Sequence, residues 1–336
     1  MSDIKYKDQF VKMGQEGPRN ATTTNFYGSY FLTESENFFD INKFEENLEM
    51  KIIKNEENLL ILEIKNLNVS IANALRRIMI SEVPTIAIEK VNIFQNTGVI
   101  ADEILCHRLG LIPFKFNADL INFKDTYEKY NNLNCFCFKL HVKCNSINNN
   151  KIGNENYQCI YSKDLKWCPL NEEQKIKFEN NPPKVVDDNI LITKLGSGQE
   201  IELICFLEKG IGKTHAKWSP VCTAVYKMFP SFNFDVHEKF TNSEKKDLVN
   251  ICPKKVFDIE ESGNLIAKNP LDCSSCRACI EKYPQKISFQ KTKNHFIFTV
   301  ESTGCFSSAD IFKKALNILK EKVINVKEML EEHTPT

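Results

Sequence analysis

The chain has 336 residues, 42% of them apolar, and carries 44 Lys and Arg against 44 Asp and Glu. That length sets a prior of about two domains, and a net charge of zero counts against a main DNA- or RNA-binding role, because such domains are usually basic overall. The 13 cysteines, the lack of an apolar N-terminal signal and the absence of any run near the ~18 apolar residues of a membrane span lead us to expect a soluble intracellular protein with reduced thiols.

Residues 1–45 are polar, with scattered aromatics such as Phe26, Tyr27, Tyr30, Phe38 and Phe39 and no clear period. An extended arm docked on a neighbour and a disordered tail are equally compatible with that pattern. Leu48–Ile53 and Leu59–Ile64 read as two short strands joined by the polar turn from Lys54 to Asn58.

Val69 to Glu89, VSIANALRRIMISEVPTIAIE, reads as a helix followed by a strand. At 100° per residue, Ile71, Ala72, Ala74, Leu75, Ile78 and Met79 share one broad arc. Asn73, Arg76, Arg77 and Ser81 lie opposite, with Ile80 stranded among them, and Pro84 stops the helix. A plain amphipathic core helix accounts for the arc but not for Ile80 between two arginines. That oddity predicts a helix with a second contact surface, where a planar guanidinium is a favoured anchor.

Thr85–Phe94 alternates and is rich in β-branched residues, so it reads as a strand; Asn96-Thr97-Gly98 turns the chain, and a short helix from Asp102 to His107 ends before Gly110 and Pro113. Cys135–Lys143, Ile190–Ile192, Glu200–Leu207 and Cys222–Met228 read as further strands. Asn145–Lys151 and the charged stretch Glu172–Asn189 read as loops. Over 250–285 the period is lost, and clean alternation returns in His295–Ser302. After Gly304, Ser307 opens a last helix with Asp310 three residues on as a weak capping box. Phe312, Ala315, Leu316, Leu319, Val323, Val326 and Leu330 then repeat at helical spacing, so the helix runs from about Ser307 to Glu332. A helix this long crosses a domain or meets a partner.

Cys273-x2-Cys276-x2-Cys279 matches the leading half of a bacterial ferredoxin motif, which normally continues x3-Cys-Pro. Tyr283-Pro284 stands in that place, while Cys252-Pro253 offers a fourth thiolate about 20 residues upstream. Four thiolates at these spacings suit one 4Fe–4S cluster; a zinc site would more often use two separated cysteine pairs, and a relic insertion with free thiols is the third possibility. Elsewhere, Glu103 and His107 lack the second histidine of HExxH, and His215 beside Lys217 and Trp218 suits packing. Asp187-Asp188 suits a solvated loop. The chain shows no Gly-rich phosphate loop, no Gly-x-Ser-x-Gly and no polymerase aspartate triplet.

Four segments together resemble the alpha-like subunits of cellular RNA polymerases: SIANALRRIMISEVPTIAI from Ser70 to Ile88, IADEILCHRLGLIP from Ile100 to Pro113, KGIGKTHAKWSP from Lys209 to Pro220 and NHFIFTVESTG from Asn294 to Gly304. Gly212, Ser219 and the NFYGSY run from Asn25 to Tyr30 make the chain most similar to the branch shared by eukaryotic polymerases I and III; the polymerase II and archaeal subunits are the alternatives. The resemblance implies an α+β fold. Its dimerisation domain, an antiparallel sheet plus two helices, would comprise about 46–85 and 228–333, behind an arm at 1–45. A mostly-β domain would be inserted at about 86–227, and a small ferredoxin-like insertion would fall at 240–290.

The family's role implies a non-catalytic assembly subunit of the nucleus and nucleolus. Its expected partners are a small alpha-like subunit, the two largest subunits and a small shared subunit, with no sequence-specific DNA contact and no membrane. The expected interface is Ile71, Leu75, Arg76, Arg77, Ile78, Met79 and Ile80 on the first helix and Phe312, Leu316, Leu319 and Val323 on the last. Cys252, Cys273, Cys276 and Cys279 are the candidate metal ligands. Cys135, Cys137 and Cys144 stand where the polymerase II relative carries a zinc loop, and here are expected to be core or surface residues without zinc. An electron-transfer protein, the competing reading, would rest on the four cysteines and leave most of the chain unexplained.

Overall fold

The computed structural model describes residues 10–14, 18–19, 40–145, 157–235 and 240–333. The fold is α+β. Two compact units divide it: one draws on Met1–Ile53, Ile61–Ala72 and Tyr226–Phe298, the other on Lys54–Leu60, Asn73–Val225 and Thr299–Thr336. These limits differ from the domain limits expected above, because 73–85 and 299–336 group with the middle of the chain. Local contacts explain the grouping. Lys213 N–H donates to Ser81 O at 2.7 Å and Ser308 N–H to Glu57 O at 2.9 Å, and the Lys314 ammonium pairs with Asp119.

Most of a six-stranded sheet belongs to the first unit. Its order is Pro18–Arg19, Phe10–Met13, Ile287–Ser302, Leu59–Lys65 and Glu49–Asn55, with Val221–Phe234 also paired to Ile287–Ser302. Leu60, Leu62 and Ile64 are buried while their neighbours are half-exposed, the period-2 burial expected of a strand with one covered face. Phe10–Met13 pairs antiparallel with residues 290–292. The stretch 1–45 is not without regular structure: Ile41–Asn47 is a helix, because the Asp40 carboxylate accepts from the backbone N–H of Asn42 and Lys43 and so caps its first turn. Phe26, Tyr27, Tyr30, Phe38 and Phe39 lie outside the described residues.

A satellite of the same unit follows residue 240. Helix Asn242–Ile251 starts at a capping box in which Thr241 Oγ1 accepts from Glu244 N–H and Glu244 accepts from Thr241 N–H. The hairpin Phe257–Ile259/Leu265–Ala267 and the short helix Ala278–Lys282 complete it. Leu248, Val256, Phe257, Ile280, Ile287 and Phe289 form its own core.

The second unit holds a four-stranded antiparallel sheet in the order Thr85–Asn96, Glu200–Gly210, Cys135–Lys143, Lys166–Trp167. Ile201, Leu203, Cys205 and Leu207 point into the core at every second position. Cys135–Phe138, expected to alternate, is buried at all four positions because both faces are covered there. Cys135, Cys137 and Cys144 are therefore core thiols, and burial pushes Cys135 up to about 12 and Cys137 up to about 11. Phe116, Phe136 and Phe178 meet edge to face, with ring centroids 4.7 to 5.3 Å apart. Phe178 comes from the helix Glu172–Phe178, inside the stretch expected to be a loop; Asn171 caps that helix by accepting from Gln174 N–H. A strand at Tyr157–Tyr161, paired with Leu191–Gly196, was also not expected.

Candidate assembly surface and cysteine cavity

Val69–Ser81 is helical, as its arc predicts. Ala72, Leu75, Ile78 and Met79 are buried, Ile71 and Ile80 half-buried. The opposite side is occupied by local bonds. Arg76 Nε and Nη2 both donate to Asn73 Oδ1, at 3.1 and 3.0 Å, and Ser81 Oγ donates to Arg77 O at 2.7 Å. Arg77 itself is exposed. The last turn of the helix presses on the segment after Gly210. A Cβ on Gly212 would lie 2.3 Å from Ile80 O, so only glycine permits this approach.

The rest of KGIGKTHAKWSP is a braced corner. A Cβ on Gly210 would overlap the Trp218 ring at 2.3 Å. Trp218 Nε1 donates to Glu208 O at 3.1 Å, and Thr85 Oγ1 donates to Trp218 O at 2.8 Å. His215 Nδ1 accepts from Lys217 N–H at 3.1 Å, and its ring stands edge-on to Trp218, the packing role expected for it. Lys217 Nζ donates to Ile88 O at 2.9 Å and pairs with Glu89.

The final helix spans Ser308–His333. Asp310 N–H donates to the Ser307 hydroxyl at 3.1 Å, the predicted cap. Phe312 is buried, Leu319 is half-buried, and Leu316 and Val323 are exposed. Every residue from Lys320 to Glu332 is exposed, and Val323, Val326 and Met329 stand 54 to 62% open to solvent. Leu316, Leu319, Val323 and Val326 are spaced three, four and three apart, the seam of a helix that packs along another helix. Lys322 Nζ donates to Glu82 at 2.6 Å and fixes one point of the helix's course.

Cys252, Cys273, Cys276 and Cys279 all line one small cavity together with Phe232, Phe257 and Phe289. Cys252 caps the C-terminus of Asn242–Ile251. Cys273 follows a 3-10 turn and Cys279 lies in the helix Ala278–Lys282. Ser275 and Arg277, between the cysteines, take φ of 58° and 68°, which coils the loop around the cavity. Val256 N–H points at Cys252 Sγ and Ser275 N–H at Cys273 Sγ, each at 3.4 Å. Burial raises Cys273 and pushes Cys279 up to about 11. Tyr283, where the ferredoxin pattern would place another cysteine, packs on Phe240 and donates its hydroxyl proton to Asp247 at 2.7 Å. The four thiols share the cavity without being drawn to one centre: among the described residues no ready group of three metal donors is formed. The donor set, four thiols with two N–H···S contacts, is chemically of the kind that holds an iron–sulfur cluster.

The model of the RNA polymerase Rpb3/Rpb11 dimerisation domain matches residues 62–323. The chain belongs to this family. Within it, the chain is similar to a Dictyostelium discoideum protein named DNA-directed RNA polymerases I and III subunit rpac1, with 41% identity over 98% of this chain and 95% of the relative. It is 35% identical to the Saccharomyces cerevisiae protein of the corresponding name, over 90% of this chain and 93% of that one. Its identity to the Dictyostelium discoideum RNA polymerase II subunit rpb3 is 33%, over 85% of this chain and 95% of the relative. The family match takes in both the Val69–Ser81 helix and the final helix through Val323.

Proposed function

We propose that the chain is a non-catalytic assembly subunit of DNA-directed RNA polymerases I and III. It would pair with a small alpha-like subunit and then seed assembly of the two large catalytic subunits, together with a small shared subunit. The observation that carries this is the apolar seam of the final helix, solvent-exposed over its outer half in a chain of the dimerisation family. A helix polar in its surroundings would not keep Val323, Val326 and Met329 on its surface unless another surface covered them. Similarity to relatives named for polymerases I and III, at higher identity than to the polymerase II relative, supports the choice of enzymes. The corresponding place of work is the nucleus, with the nucleolus for polymerase I. The test is affinity purification of the tagged chain from its own cells. Large subunits of polymerases I and III should co-purify; those of polymerase II in their stead would overturn the proposal.

The same proposal gives the cysteine cavity a structural role. Cys252, Cys273, Cys276 and Cys279 would hold one 4Fe–4S cluster, which when bound would cross-link four points of the 240–290 segment. Iron and sulfide analysis of anaerobically purified chain tests it. About four irons per chain are expected for a cluster of that type, and a metal-free, fully folded chain would contradict it.

A further inference from the structure

Within the second unit, a groove of about 680 Å3 lies between Lys90, Lys124, Lys209, Phe123 and Tyr130. That is the size of a ligand-binding site. Tyr130 forms its floor. One face of the ring is stacked on Phe206, at 4.6 Å between centroids and 13° between planes, and its hydroxyl donates to Glu208 at 2.8 Å. Lys124 Nζ and Lys90 Nζ stand 5.1 and 5.9 Å from the Tyr130 centroid, and Lys209 Nζ stands 4.7 Å from that of Phe123.

The charge in this groove is unbalanced. Among the described residues, Lys90, Lys124 and Lys209 make no ion pair; Lys124 and Lys209 donate to the backbone carbonyls of Asp125 and Ile121. Of the two carboxylates in the lining, Glu89 is paired with Lys217, and Glu208 accepts from the neutral Tyr130 hydroxyl and keeps its single negative charge, so the three lysines still leave the groove positive. Burial lowers Lys209, so holding its charge there costs free energy that an anion would return. Three ammonium groups over an aromatic floor call for a ligand with several negative charges and some apolar surface.

We propose that this groove binds an acidic peptide segment of a partner polypeptide, its carboxylates on Lys90, Lys124 and Lys209 and its apolar side chains beside Phe123. A nucleic-acid strand fits less well. Tyr130 is stacked on one face and overlain by two ammonium groups, which leaves no open ring for a base. This inference does not depend on which polymerase the chain enters.

The test uses the full chain and three probes: a fluorescein-labelled decapeptide of alternating Glu and Leu, a single-stranded DNA of ten thymidines, and inorganic phosphate as competitor. Fluorescence anisotropy should show saturable peptide binding, weakened as salt rises. In Lys90→Gln/Lys124→Gln affinity should fall at least tenfold, whereas Lys90→Arg/Lys124→Arg should stay within threefold of the parent and shows that the charge is what acts. Should the double Gln variant melt below the parent, Lys124→Gln alone is read in its place, with a drop of at least threefold expected. No saturable peptide binding, unchanged affinity in the Gln variants, oligonucleotide binding tighter than peptide binding, or displacement by phosphate at equal molar concentration would each overturn the proposal.

Discussion

Over its first two turns the final helix buries Ser308, Ile311, Phe312 and Ala315, whereas from Lys320 to Glu332 every residue is exposed. The apolar spacing runs unbroken through both halves. The same periodic pattern therefore describes a stripe covered by its own chain and a stripe left open. Periodicity tells which side of a helix is apolar; only the surrounding structure tells what lies against that side. The Val69–Ser81 helix makes a related point, because Arg76 and Ser81, placed opposite the apolar arc and expected on a second contact surface, are engaged in bonds along the helix.

The two halves of the helix should differ most at Phe312. Phe312→Ala should cost about 3–5 kcal/mol of unfolding free energy, the usual loss for a buried phenylalanine, whereas Val323→Asp on the open half should change it by no more than about 0.5 kcal/mol. Urea unfolding of the two variants checks both numbers, and equal losses would abolish the distinction between the halves. Gly212→Ala comes next. Its Cβ would fall 2.3 Å from Ile80 O, so the segment must shift, at a cost of about 1–3 kcal/mol. A melting temperature equal to the parent's would show that the helix end is not braced there.

A smaller effect concerns pH. The Lys286 ammonium, together with the Thr241 N–H, holds the Glu244 carboxyl at about 2, below its ordinary 4.5. A depressed carboxylate contributes stability that is complete above about 4.5 and lost as pH falls towards about 2. Urea midpoints measured between those values should decline less steeply in Glu244→Gln than in the parent. Identical slopes would remove Glu244 from the account.

Much of this architecture is legible in the residues. The strand CFCFKLHVK has the expected limits, and the Val69–Ser81 helix starts and ends where its arc and Pro84 place it. What was missed is short. Ile41–Asn47 and Glu172–Phe178 are seven-residue helices held by single caps, Asp40 and Asn171, too short for a period to stand out. Tyr157–Tyr161 is a five-residue strand beside an Asn-rich stretch. The four cysteines singled out by their spacing line one cavity, but the turn beside it depends on positive φ at Ser275 and Arg277, which neither residue type announces. The lysine groove had no signal at all, since Lys90, Lys124 and Lys209 are far apart in the chain and only the fold joins them.

In the proposed function a partner covers the open half of the final helix in the assembled polymerase. The most direct test is the yield of large polymerase subunits recovered with tagged Val323→Asp/Val326→Asp, compared with the parent chain at matched expression. At least a tenfold lower yield is expected, with the melting temperature of the isolated chain unchanged. Undiminished recovery of the large subunits would contradict it.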